Sequence, residues 1–242
     1  MGQRFIVSGP RFVPLVVLMA LAAVGCSSGG GEQQLLEKYF QAARMRDNTT
    51  MGNIAIVTFN PREDGIVQNL EVETVTPEER RPLRIKEFAK AHEDARAAAD
   101  DLGRRQKEYQ DANGTALSRV LKAERESTNV TGRDAAVQAA WNKWRQDMAE
   151  NAKRVSTARS ELGAERTVAE LSVMDPRTPV DVTQYDGELI TKDVTINASV
   201  ALPDQAAAPK RMVIKLQRAV LKGNAGGKDI EGRWIVTEIK PA

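Results

Sequence analysis

Cysteine and histidine carry much of the nucleophilic and metal-binding chemistry of proteins, and the sequence has one of each, Cys26 and His92. A zinc site usually takes three or four such ligands, so we expect no metal site. His92 lies among charged residues in a long helix-forming segment, which makes it a surface or packing residue of that helix. Serine–histidine catalysis has no support for the same reason. The sequence therefore predicts no catalytic residues, no metal and no cofactor.

Arg218 is the residue whose position best suits ligand binding. It falls on an apolar alternation between Leu216 and Val220, so it points towards the apolar face of a predicted strand or emerges at the rim of that face. A buried arginine has to be paired, and this one could bind an acidic ligand. The alternative is a rim arginine whose aliphatic stem covers apolar surface.

The first 25 residues have the three parts of a secretory signal peptide. Arg4 and Arg11 give a positive start, residues 13–24 are apolar, and Gly25 is a small residue at the end. The apolar run is too short to cross about 30 Å of hydrocarbon as a helix, which favours a signal peptide over a membrane span.

Residues 23–26, Ala-Val-Gly-Cys, resemble the bacterial lipobox, in which small residues precede a cysteine that is diacylated before cleavage. The resemblance implies a signal peptide over 1–25, lipidation of Cys26 and anchoring to a membrane, with residues 26–31 as a flexible tether. An ordinary secretory signal with an unrelated cysteine is the alternative. Ser27 after the cysteine favours the outer membrane, facing the periplasm, in bacteria that sort lipoproteins by this position.

Charge gives no support to nucleic-acid binding. The whole chain has 35 Lys and Arg residues against 33 Asp and Glu residues. The predicted leader contains two arginines and no acidic residue, so the mature chain carries equal numbers of both signs. A nucleic-acid-binding surface would need a cationic excess.

Residues 32–76 and 176–242 are predicted to form the two parts of one α+β domain. Apolar residues recur at helical spacing near the start, and they alternate in the later segments as they do in strands with one buried face. The predicted elements are a helix over 35–43, a short helix over 48–54, and strands over 65–75, 194–202, 212–220 and 234–239.

Residues 77–175 are predicted to form an antiparallel coiled-coil hairpin inserted after the first strand. Thr76-Pro77-Glu78-Glu79 is a good helix start, and residues 127–132 form the turn between the two arms. The predicted contact positions of the first arm are Phe88, Ala91, Ala95, Ala98, Leu102, Tyr109, Ala112 and Ala116. Those of the second arm are Val137, Trp141, Trp144, Met148, Asn151, Val155, Ala158, Leu162, Glu165 and Ala169.

Three residues of the hairpin are candidates for binding a partner. Asn129 lies in the turn, and Trp141 and Trp144 occupy successive contact positions near the tip. The tryptophans are more often packing residues opposite small side chains than a binding patch, but an exposed aromatic patch near the tip would suit a protein partner.

Without residues 77–175, the order of elements resembles the nuclear transport factor 2-like (SnoaL-like, cystatin-like) superfamily, especially its small bacterial lipoprotein members. The segments that carry the resemblance are 35–43, 70–75, 211–221 and 232–240. It implies a curved sheet wrapped around helices into a cone with an apolar concavity. Two unrelated domains are the alternative, although the strands alone would leave one apolar sheet face uncovered.

Enzymes of that superfamily place tyrosines, aspartates or a histidine–aspartate pair in the cone. Tyr39, Asp47, Asp64 and Tyr185 are available here but form no recognisable arrangement. We therefore expect a non-enzymatic, lipid-anchored envelope protein that binds or scaffolds an envelope protein, or its own copy, through the hairpin. A carrier of a small apolar or acidic ligand is the alternative, and an isomerase- or hydratase-like enzyme is a more distant one.

Overall fold

The computed structural model describes residues 30–202, 205–223 and 228–242, so the predicted signal peptide and Cys26 lie outside the described residues. The described chain is α+β, as predicted, with an antiparallel sheet curled into a half-barrel and a helical region. The helices are α1 (Gly30–Met45), α2 (Asn48–Ile54), α3 (Ile85–Arg125) and α4 (Arg133–Val173). The strands are β1 (Ile66–Val75), β2 (Glu79–Pro82), β3 (Gly187–Ala201), β4 (Ala208–Leu221), β5 (Ile230–Glu231) and β6 (Ile235–Pro241). None of the described helices is long and apolar enough to span a membrane.

Strand β3 is a central strand of the sheet and pairs with three other strands. One of its edges pairs with β1 and, further along, with β2, while its other edge pairs with β4 over the whole length of that strand. Strand β4 in turn pairs with β5 and β6. The register places Arg218 of β4 opposite Ile190 of β3.

The two faces of the sheet are covered by different helices. On one face, alternate residues from Val194 to Val200 pack with Ile214 and Leu216 against α1 and α2, and we name this cluster the α1 core. On the other face, Leu189 and Leu221 pack against the start of α3 and the end of α4, and we name this cluster the α4 core. The alternation of side chains along a strand explains why β3 and β4 contribute to both cores.

Helices α3 and α4 pack against each other as an antiparallel pair, which we name the arm. Each has 41 residues, or roughly 60 Å at 1.5 Å per residue. The guanidinium of Arg119 binds the carboxylate of Asp134 at 2.7 Å, and the rings of Tyr109 and Trp144 lie 6.0 Å apart. The turn between the helices falls at the predicted residues, and Gly132 within it has a positive φ of 64° that suits glycine.

Only the base of the arm belongs to the sheet domain. Ile85, Val168, Ala169 and Val173 are part of the α4 core. The buried residues further out belong to neither core, because they pack between the two helices: Leu102, Leu117, Val120, Trp141 and Ala158. The arm therefore extends beyond the sheet domain.

The predicted contact positions are right for α4 and partly wrong for α3. All ten positions predicted in α4 are buried or half-buried. In α3, the predicted Ala91, Ala98 and Ala112 are exposed, and the neighbouring His92, Ala99 and Asn113 are less exposed instead. From Ile85 the less exposed positions of α3 follow regular steps of three and four residues, through 88, 92, 95, 99, 102, 106, 109, 113, 116 and 120. At 98 and 99 both residues are alanine and offer no contrast, whereas at 92 and 113 the contact position is taken by a polar residue, His92 or Asn113, next to an exposed alanine.

The predicted helix start at Pro77 is also wrong, since residues 79–82 form β2 on the edge of β3 and α3 begins at Ile85. Proline disfavours the helical conformation in the residue before it, so Pro82 keeps Arg81 extended. The strand predicted over 194–202 is longer than expected, because β3 already starts at Gly187.

Candidate functional site

Arg218 lies on the sheet face that carries the α1 core, in agreement with the alternation of its strand. Its side chain is 20% exposed, and its guanidinium carbon lies 4.8 Å from the centre of the Trp234 ring. The ammonium of Lys192, from the neighbouring strand, lies 4.0 Å from the centre of the same ring. We name Lys192, Arg218 and Trp234, with the carboxylates of Glu32 and Glu78, the Trp234 cluster.

Lys192 is the best-paired cation of this cluster. It is only 7% exposed, and its ammonium donates a hydrogen bond to Glu32 in the first turn of α1. Burial raises the pKa of Glu32, but the hydrogen bond from Lys192, a backbone hydrogen bond and the positive charge of Lys192 together outweigh this effect and leave that pKa below its ordinary value. The pair therefore holds the start of α1 against β3 as two opposite charges.

Arg218 is paired less completely. Its two terminal nitrogens lie 3.4 Å from Glu78 and 3.8 Å from Glu231, both longer than a normal charge-assisted hydrogen bond. Its Nε–H is buried and has no acceptor among the described residues. Because buried donors are almost always satisfied, the guanidinium keeps hydrogen-bonding capacity for an acidic group.

Lys192 and Trp234 are not among the site residues predicted from the sequence. Lys192 stands two residues before Val194, on the same alternation, so extending the predicted strand backwards would have placed it on the inward face. Trp234 directly precedes β6, and only the pairing of β6 with β4 brings it to Arg218. The consecutive strands predicted over 212–220 and 234–239 are expected to pair as an antiparallel meander, but the sequence does not give the register that sets Trp234 beside Arg218.

The arm residues predicted to bind a partner have different environments. Trp141 is 9% exposed and lies between the helices, with the Arg145 guanidinium 5.7 Å from its ring centre. Trp144 is half-buried and packs against Tyr109. Asn129, in the turn at the tip, is exposed. The turn is therefore more accessible to a partner than either tryptophan.

Three of the four candidate acid–base residues make local hydrogen bonds, and the fourth, Tyr185, packs against the α4 core. The hydroxyl of Tyr39 donates to the Val57 carbonyl at 3.0 Å, and burial raises the pKa of Tyr39. Asp47 caps α2 by accepting from the Thr50 amide at 3.0 Å, and Asp64 accepts from the Asn60 amide at 2.8 Å. Within the described ranges, no three potential ligands of a metal ion converge.

Comparison with protein-family models, curated proteins and solved structures finds no match.

The resemblance to the nuclear transport factor 2-like superfamily therefore depends on the order of elements alone. The geometry itself supplies two features that can bind: the exposed surface of the arm, and the incompletely paired guanidinium of Arg218.

Proposed function

We propose that this protein is a non-enzymatic, lipid-anchored protein of a bacterial cell envelope that binds or scaffolds another protein through the arm. The observation that carries the proposal is the arm itself, which extends roughly 60 Å and has only its base in the sheet domain. The regular three- and four-residue burial steps of α3 and α4 support its assignment as a coiled coil inserted into a cone-like domain.

Two buried polar residues of α4 fix the base of the arm to the sheet. Glu165 accepts two hydrogen bonds from Arg81 of β2, at 2.7 and 2.6 Å, and a third from the Arg84 amide at 2.9 Å. Ser172 donates to the Arg233 carbonyl and accepts from the Ala219 amide, both at 2.9 Å. Such linkages hold the arm at a fixed angle, as a docking arm requires.

The surface of the arm favours a polar contact. The large exposed apolar residues of the described chain are Met45, Ile56, Ile66, Met174 and Leu202, and none belongs to the arm. Charged pairs such as Lys143–Asp147 and Arg104–Glu108 cover the helices instead. A partner would therefore recognise charge and shape rather than an apolar stripe.

The anchor would keep the sheet domain close to the membrane. Helix α1 begins at Gly30, four residues after Cys26, and four extended residues reach about 14 Å. The long arm would then supply reach that the short tether cannot. The outer membrane, on its periplasmic side, is our proposed location.

In-cell photo-crosslinking from a probe at Asn129 tests the proposal, with a probe at the exposed Lys210 of the sheet domain as the matched control. A recurrent protein adduct from position 129 but not from position 210 supports docking through the tip. Adducts between copies of the chain would assign the arm to self-association. Absence of any adduct, with the protein at its normal level, would contradict the proposal.

The Trp234 cluster supports a second candidate, a carrier of a small acidic ligand. The specific observation is the Arg218 Nε–H without an acceptor in the described part of the chain. Native mass spectrometry of protein purified from its own host would show a bound small molecule that Arg218→Ala loses and Arg211→Ala, changed on the exposed part of the same strand, retains. An identical spectrum for all three proteins would reject the carrier.

A further inference from the structure

An apolar groove lies where the end of α4 meets α2. It has a volume of about 640 Å³, within the range typical of binding sites. One wall is the end of α2 and the residues after it, and the other is the segment from Met174 to Val180. The last two turns of α4, with Glu170 and Leu171, also line it.

The groove exposes side chains that a folded domain normally buries. Ile56 and Met174, on its opposite walls, are 41% and 38% exposed, and they are two of the five large apolar residues exposed in the described chain. Their concentration in one concave site distinguishes it from the isolated exposed residues that are common on protein surfaces.

Both walls are held in place without a ligand. The Ile56 amide donates to the Val236 carbonyl at 3.0 Å, which fixes the first wall to the edge of β6. In the second wall, Asp175 accepts from the Arg177 amide at 2.9 Å and from the Thr178 hydroxyl at 2.8 Å. Pro176 and Pro179 stiffen the same segment. The groove is therefore preformed.

The charge of the groove has one sign. Among the described residues, Glu170 and Asp175 are the only charged ones that line it, and both are carboxylates. Arg166 pairs with Oε1 of Glu170 at 2.6 Å but does not line the groove. The local hydrogen bonds lower the pKa of Asp175, so its carboxylate remains ionised at neutral pH. An anionic ligand would be repelled, whereas a cationic group beside an apolar one would be attracted.

We propose that this groove binds a short amphipathic segment of a partner protein. Aliphatic side chains of the segment would contact Ile56, Leu171 and Met174, and a lysine or arginine beside them would face Glu170 and Asp175. The site lies at the foot of the arm, so a protein that docks along the arm could also place a segment here. The proposal does not depend on the arm being a binding surface, because the groove is defined by its own lining.

The experiment uses the full-length protein in nanodiscs of zwitterionic lipid, with empty nanodiscs as the blank. The probe is a fluorescent 12-residue peptide of leucine and lysine at helical spacing, and a leucine–glutamate peptide of the same pattern is its counterpart. Fluorescence anisotropy should show binding of the lysine peptide and at least about tenfold weaker binding of the glutamate peptide.

Variants locate the binding. The double variant Ile56→Ser/Met174→Ser should weaken the lysine peptide at least about tenfold, and Glu170→Gln should weaken it several-fold, with less dependence on salt. The matched control Met45→Ser/Ile66→Ser removes two exposed apolar residues elsewhere and should change nothing. Circular dichroism confirms that all variants are folded.

Three results would overturn the proposal. One is equal binding of the two peptides, and another is equal loss of binding in the groove and control variants. The third is a dimer that forms in sedimentation experiments and disappears only in the groove variant, because a second copy would then be the occupant. Crosslinking from Asn129 is independent of all three, so failure here leaves the proposed function of the arm intact.

Discussion

Replacing Glu165 with glutamine would test whether the base of the arm is held by charge. The carboxylate is 6% exposed and accepts two hydrogen bonds from Arg81 and one from the Arg84 amide. Glutamine keeps one acceptor oxygen but turns an amide donor towards the donors of Arg81. Hydrogen bonds to charged groups contribute about 1.5–3 kcal/mol each, and Arg81 itself stays partly hydrated. We expect the free energy of unfolding to fall by about 2–3 kcal/mol at pH 7.

The pH dependence has a definite sign. Burial raises the pKa of Glu165, but the hydrogen bonds and positive charges of Arg81 and Arg84 together lower it by more. The pKa in the folded state therefore lies below its ordinary value. Such a group stabilises the fold above its unfolded pKa of about 4.3, and the contribution disappears as the pH falls through the folded pKa. The difference in the free energy of unfolding between wild type and Glu165→Gln should therefore become smaller in acid.

Urea unfolding followed by circular dichroism, at pH 7 and again at about pH 3, measures this gap. Glu161→Gln is the matched control, since Glu161 is exposed one turn earlier on the same helix, and it should change stability by less than about 0.5 kcal/mol. A loss for Glu165→Gln no larger than that of the control, or a gap that stays constant in acid, would refute the reasoning.

Other substitutions test the remaining packing, each by a thermal unfolding midpoint. Gly232→Ala should lower the midpoint strongly, because the new Cβ would collide with the Ser172 hydroxyl and lie 2.7 Å from the Ala219 carbonyl oxygen. Its control is Gly163→Ala on an open face of α4, which should raise the midpoint through a gain of up to about 1 kcal/mol in the free energy of unfolding. Trp141→Ala should cost about 3–5 kcal/mol by opening a cavity between the helices, and an unchanged midpoint would contradict its burial. Lys192→Met should destabilise at pH 7 because it leaves Glu32 unpaired, and adding Glu32→Gln should restore most of the loss; no recovery would show that the pair is not the cause.

The sequence predicted the arm well where large apolar side chains mark the contact positions. In α4, Trp141, Trp144 and Met148 mark three successive contact positions and Leu162 a later one, so the three- and four-residue steps have one solution. In α3, Ala98 and Ala99 are identical in polarity and size, and the polar residues His92 and Asn113 take contact positions beside exposed alanines, so no local rule chooses correctly. The choice is made by the opposing helix, which periodicity within one helix does not report.

The sheet was harder to predict at its charged end. Strand β2 has four exposed residues, Glu-Arg-Arg-Pro, so no alternation marks it, and only its pairing with β3 makes it a strand. The position of Arg218 on the inward face followed from its own strand. Its contact with Trp234 depends on the register between β4 and β6, which is tertiary information, and Lys192 was missed because β3 begins at Gly187 and not near Val194.

The arm also has a consequence for the order in which the chain folds. Val75 at the end of β1 pairs with Val194, a residue roughly 120 positions later, and contacts at such separation form slowly. Near its turn, the arm forms contacts between residues that are close in sequence. Its two helices can therefore pair before the sheet forms, starting from the turn. This pairing of the helices ends with Ile85 and Ala169 in the same α4 core, which brings β2 and β3 close together. Disrupting the turn at Gly132 should therefore slow the assembly of a sheet that Gly132 never touches.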